Sequence, residues 1–266
     1  MTAHPTSSYT HLKIFWALLK RDLLWMKRNT ASTVVDCIAP LLTQITVFGY
    51  LFPLFGMAPS LIGPVYLGSM LNLFIQLGYS FVLKIAFDLN GNRFIDYHLT
   101  LPIPKKWLFA SYAVSHMIET AIVTIPLISG GIILLHQYIP IHHINVVGFI
   151  SMFLAMLCFL STFFMLLGYS FELSWILHNI WPRILVPLWL FSAGLVPWHA
   201  TSSWSPILGY IMLASPITYL AEGMRSALLG GSQYIPWYLC LIPLCVCTVV
   251  NIILFSIRVQ KRLDPV

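Results

Sequence analysis

Long apolar runs dominate this chain and decide what it can fold into. They cover 34–55, 61–83, 108–135, 146–169, 180–196 and 237–257. A helix of about 20 apolar residues matches the roughly 30 Å hydrocarbon core of a bilayer. Inside that core each backbone N–H and C=O has to be satisfied by the protein, and a helix does this within its own segment. The expected fold is therefore all-α: one polytopic membrane domain over 1–266, with six transmembrane helices. Composition agrees, because 59% of the 266 residues are hydrophobic and only 8% are charged. A soluble domain carries about a quarter charged residues.

The segments between the runs set the topology. Residues 11–28 are amphipathic, with Leu12, Phe15, Trp16, Leu19, Leu23 and Met26 at three- and four-residue steps. Lys13, Lys20, Lys27 and Arg28 fall mostly elsewhere on the wheel. Such a helix lies in the membrane interface, or packs on protein as a cytosolic helix. The one substantial polar stretch in mid-chain is 84–106. The apolar stretch 207–220 is too short to cross and is broken by Pro216. A re-entrant or interfacial hairpin over 205–230 is expected there, sheltered by protein or water. The fifth run is apolar by itself only over 184–196 and contains Pro187, so its helix is expected to start at Ile180.

With six spans both termini share a side. All 14 Lys and Arg residues except Arg225 then fall on that side, counting Arg183 there. The positive-inside bias places both termini and the 84–106 loop in the cytosol. A seventh span would put Arg258, Lys261 and Arg262 outside, against the bias. Lys20, Arg21 and Asp22 interrupt the first apolar stretch, unlike a cleavable signal sequence.

Several chemistries lack their residues. The net charge of +6 comes from cations between apolar runs, not from a nucleic-acid-binding patch. No G-x-x-x-x-G-K-[ST] loop exists, so ATP-driven work needs a partner that binds ATP and Mg²⁺. Cys37, Cys158, Cys240, Cys245 and Cys247 lie in apolar runs and read as packing residues. His142 and His143 have no carboxylate or thiol nearby, and no metal site is expected. No catalytic nucleophile is visible. Trp107, Trp181, Trp189, Trp198, Trp204 and Trp237 sit near span ends, as an interfacial aromatic belt does.

Ionisable groups inside spans usually face protein or water. Asp36 sits near the cytosolic end of the first span. Glu119 lies well inside the third, with His116 one turn earlier on the same face. The two are expected to share a hydrogen bond as an interhelical structural pair or, alternatively, a proton relay. Glu172 marks the exit of the fourth span. Glu222 and Arg225 are three apart and are expected to pair, stabilising the hairpin.

The stretch from Pro187 to Gly231 reads PLWLFSAGLVPW, then SPILGYIMLASPITYLAEGMRSALLGG. It resembles the ABC-2 family of exporter membrane subunits, and the likeness covers nearly the whole chain. Ser192, Gly194, Pro197, Pro206, Pro216, Thr218, Tyr219 and Arg225 match the family's pattern. Two departures are Ala193, which separates Ser192 from Gly194, and Ser215, which stands where Asn is common. The resemblance implies an interface helix over 11–28, with Phe15, Lys20, Arg21, Lys27 and Arg28 beside a nucleotide-binding ATPase subunit. It implies a coupling helix over 96–106 as well, whose Asp96, Tyr97, His98, Leu99, Thr100, Leu101, Lys105 and Lys106 receive that subunit's movement. It further implies a homodimer in the plasma membrane (the bacterial inner membrane), with a path between the first, second and fifth spans. The PLWLFSAGLVPW run and compact outer loops look most like lipo-oligosaccharide, O-antigen and capsule exporters. A drug or small-hydrophobe exporter is the alternative. An integral-membrane lipid-modifying enzyme is a further rival, and would need His116, Glu119 and Glu172 at one depth. No internal repeat suggests a secondary transporter.

Overall fold

A computed structural model describes residues 8–28, 30–92, 97, 104–139 and 143–263. Every regular element among them is helical. Helix α1 is Ser8–Arg28, and α2 runs as Thr30–Ile45, loosens into wide turns over Thr46–Leu51 and closes with Phe52–Leu54. Helix α3 is Pro59–Phe87, extended by wide turns over Asp88–Asn92. Helices α4 and α5 are Lys105–Leu134 and Val146–Ser170. Helix α6 is built from Leu173–Trp175, Ile176–Leu185 and Val186–Leu190. Short helices α7 (Trp198–Trp204), α8 (Pro206–Ala214) and α9 (Pro216–Leu229) precede α10, Trp237–Leu263.

Among the described residues, five helices are long and apolar enough to cross a bilayer: Val34–Leu54, Pro59–Gly91, Lys105–Leu134, Val146–Ser170 and Trp237–Gln260. Helices α8 and α9 meet at a 99° bend and make a sixth only if that pair counts as one span. The expected fifth span, 180–196, differs from what is found. Its helix starts at Leu173, ends at Leu190 and is not among the five. Residues His178, Asn179 and Arg183 dilute its apolar character. Pro182 and Pro187 lack the N–H that a regular turn requires, and the turns here are wide.

Local chemistry fixes the helix starts. Pro59, Pro206 and Pro216 open helices at a position whose N–H would be unused. Asn145 caps α5 by accepting from the Gly148 N–H at 2.9 Å. The Asn145 N–H donates to Ala227 O at 2.8 Å, tying that start to the end of α9. Gly230 and Gly231, at φ 65° and 90°, stop α9 in a conformation that favours glycine.

Helix α3 lies in the core, with Ile62, Tyr66 and Val82 fully buried. A Cβ at Gly78 would come within 1.8 Å of the Phe164 ring, so only glycine admits α5 this closely. The Tyr66 hydroxyl crosses to α4 and donates to Leu127 O at 3.0 Å.

Helix α1 rides along α4. Phe15 meets Trp107 edge-on with ring centroids 5.9 Å apart, and Ser115 Oγ donates to Asp22 Oδ2 at 2.8 Å. The two contacts advance together along both chains, so the helices run the same way. Helix α2 continues beside α4, where Leu41 lies against Gly130. Its outer side is bare, with Val35, Leu42 and Tyr50 exposed.

Candidate functional site

The matched positions of the hairpin converge on one buried ion pair. Arg225 and Glu222 lie one turn apart on α9, both with fully buried side chains, and Arg225 Nη1 donates to Glu222 Oε1 at 3.1 Å. The rest of the guanidinium is spent on backbone oxygens. Its Nε donates to Pro64 O at 2.9 Å, Nη2 to Gly194 O at 2.7 Å, and Nη1 also to Ala193 O. The carboxylate accepts from two N–H groups, Trp198 at 3.0 Å and Ile235 at 3.4 Å. The Trp198 N–H opens α7 and has no partner within its own helix. The pair therefore clasps α3, the turn after α6, the start of α7 and the approach to α10. A guanidinium suits this role, because its fork of donors reaches several oxygens at once.

Around this hub the other matched residues hold the 191–196 turn and the bend. Ser192 Oγ donates to Trp189 O at 2.7 Å and accepts from the Gly194 N–H at 3.2 Å. Thr218 Oγ1 accepts from the Ala193 N–H at 3.3 Å and donates to Met212 O. The Tyr219 hydroxyl donates to Leu213 O at 2.9 Å across the 99° bend. Pro197 is buried just before α7, and Pro216 opens α9. Ala193, the residue that departs from the family spacing, supplies both an N–H and a C=O to the network. A Cβ on Gly68 would fall 1.5 Å from Gly194 O, so α3 touches the turn at a glycine. Nearby, burial pushes the Tyr234 phenol above its usual range, although Arg225 pulls it down.

At the other end of α4, Lys105 and Lys106 are exposed in its first turn, and Tyr97 is exposed. Asp96, His98, Leu99, Thr100 and Leu101 of the expected coupling helix lie outside the described residues, as does His142. On α1, Lys20, Lys27 and Arg28 are exposed, while Phe15 is half-buried against Trp107. Arg21 pairs with Asp22 at 2.7 Å, and Asp22 holds Ser115.

His116 is placed differently from expectation. Its Nδ1 meets Ser161 Oγ at 3.0 Å, its Nε2 meets Thr120 Oγ1 at 3.5 Å, and the ring stacks on Phe81 at 4.1 Å. It has turned inward to α5 and α3, and does not bond to half-buried Glu119. Glu172 is exposed in the turn before α6. The three are not brought together.

A further set escaped the sequence reading. Asn72, Gln76 and Ser80 recur at four-residue steps on α3. Gln76 and Ser80 are exposed and Asn72 is half-buried. Their shared spacing was the available signal.

These features define a polytopic α-helical membrane protein whose bent hairpin is locked by a buried ion pair. The ABC-2 type transporter family matches residues 13–229, and the chain belongs to that family. No curated protein and no solved structure matches it. Membership makes it a membrane component of an ABC transporter and implies association with an ATP-binding subunit.

Proposed function

We propose that the chain is the membrane half of an exporter, moving an amphipathic substrate such as a lipid-linked glycan. Two copies enclose the path, and a separate subunit binds ATP and Mg²⁺ and drives the cycle. Both termini are cytosolic in the bacterial inner membrane. The observation that carries this reading is the family match over 13–229 in a chain with no phosphate-binding loop of its own. Geometry supports the direction of drive. The Phe15–Trp107 contact brings α1 to the end of α4 where Lys105 and Lys106 are exposed. One surface there offers a docking ATPase both the basic helix and the start of the third span. The residues an intramembrane enzyme would need, His116, Glu119 and Glu172, do not converge, which weighs against that rival.

The test is co-purification from native membranes with a cytosolic ATPase, followed by reconstitution. ATP-dependent movement of a glycolipid, lost without either subunit, is the expected result. Turnover of a lipid by this chain alone, without ATP, would overturn the proposal. So would thiol labelling that puts positions 106 and 266 on opposite sides of the bilayer.

A further inference from the structure

The row Asn72, Gln76 and Ser80 belongs to no contact described above. Four-residue spacing lays these side chains along one strip of α3. The opposite side of the helix is packed, with Leu71, Phe74, Ile75, Gly78 and Val82 buried. The strip has a wall on each side. On α2, Gln44 Oε1 meets Ser69 Oγ at 2.5 Å. On α6, Trp181 packs against Tyr79 with centroids 5.5 Å apart. Ser80 Oγ donates to Gln76 O of its own helix at 3.2 Å. Among the described residues, the Asn72 and Gln76 amides meet no hydrogen-bond partner. Amides turned to hydrocarbon forfeit their bonds to water, and polar groups within a span ordinarily face protein or a wet path.

We infer that this strip, between α2 and α6, is a binding track for a hydroxyl-rich, sugar-like headgroup. The inference rests on the exporter reading and adds its contact residues. Amides and hydroxyls both donate and accept, which complements a polyol. No carboxylate occurs from Pro59 to Phe87, so a cationic small hydrophobe finds no counter-charge on this helix. The Trp181 ring flanks the strip and offers an apolar face. Repetition turn by turn gives several equivalent weak sites, which lets a ligand leave each one for the next.

The test uses the full chain in lipid nanodiscs, carrying Gln76→Cys, Ser80→Cys or, as a lipid-facing control, Ile125→Cys. A charged methanethiosulfonate labels the added thiol, counted by mass above the five native thiols. Positions 76 and 80 are expected to react and position 125 to resist. Dodecyl maltoside is expected to slow labelling at 76 and 80, and dodecyltrimethylammonium at equal concentration is not. Asn72→Leu, combined with Ser80→Cys, should weaken the maltoside protection about fivefold, as expected for one lost hydrogen bond. Quenching of Trp fluorescence by a brominated alkyl maltoside beyond that given by a brominated lipid, with this excess lost in Trp181→Phe, is a second readout. Labelling at 76 as slow as at 125 overturns the track and points to burial by a second copy. Equal protection by both headgroups, or by the cation alone, overturns the ligand class. Neither result touches ATP-dependent assembly with the partner, whose separate failure would instead overturn the exporter reading.

Discussion

Asp22, on the helix before the first span, accepts a hydrogen bond from Ser115 of the third span at 2.8 Å. The bond joins positions 93 apart in sequence and fastens α1 to α4. Replacing Asp22 with Ala should cost about 1 kcal/mol, since the carboxylate is only part-buried and already shared with Arg21. Limited proteolysis of α1 should accelerate, while Asp22→Asn, which keeps an acceptor, should change less. Equal cleavage of wild type and Asp22→Ala would show that the bond does not hold the helix.

Removing Arg225 should be far more severe. Arg225→Ala leaves Glu222 charged and buried, and strips three backbone oxygens of a donor. Loss of one partner of a buried pair costs about 3–5 kcal/mol. Glu119→Gln, at a half-buried carboxylate outside the hub, should cost under about 0.5 kcal/mol. Thermal melting in detergent distinguishes them, and similar melting of both variants would contradict the role given to the ion pair.

Two glycines of α3 should respond differently to alanine. At Gly68 the obstacle is the Gly194 carbonyl, which is backbone. At Gly78 it is the Phe164 side chain. Both substitutions should destabilise by about 1–3 kcal/mol. Phe164→Leu should recover stability only for Gly78→Ala. Recovery for neither would mean that the Phe164 contact is not what limits position 78.

Lys105→Glu with Lys106→Glu reverses the exposed charge at the start of α4. In the assembled transporter it should lower export more than ATP hydrolysis, or weaken subunit association. Unchanged stoichiometry of ATP used per substrate moved would remove this turn from the proposed contact with the ATPase.

Much of the helix layout was legible because hydrocarbon thickness sets helix length. The run read as 146–169 is the helix Val146–Ser170, and 108–135 is Lys105–Leu134. Pro216 marked the place where the hairpin bends. The start of α6 was harder, since Glu172 and His178 look like a connection in sequence, yet the helix begins between them at Leu173. At the hub, the spacing of Glu222 and Arg225 announced their contact. The other partners of Arg225 are carbonyls of Pro64, Ala193 and Gly194, and a backbone oxygen leaves no residue-type signal. His116 offered Glu119 one turn away as a partner, but Ser161, which lies 45 positions distant, captures the ring. The row on α3 stayed hidden because single amides do not interrupt an apolar run. Only their register on the helix sets them apart.

A single residue, Asn29, stands between Arg28 and Thr30, the last and first residues of α1 and α2. Both helices are long and both are braced against α4. In the proposed exporter, a push from the ATPase on α1 has one residue of connecting chain in which to dissipate. Such a push would reach the first span as tilt or rotation, much as a pedal turns its crank.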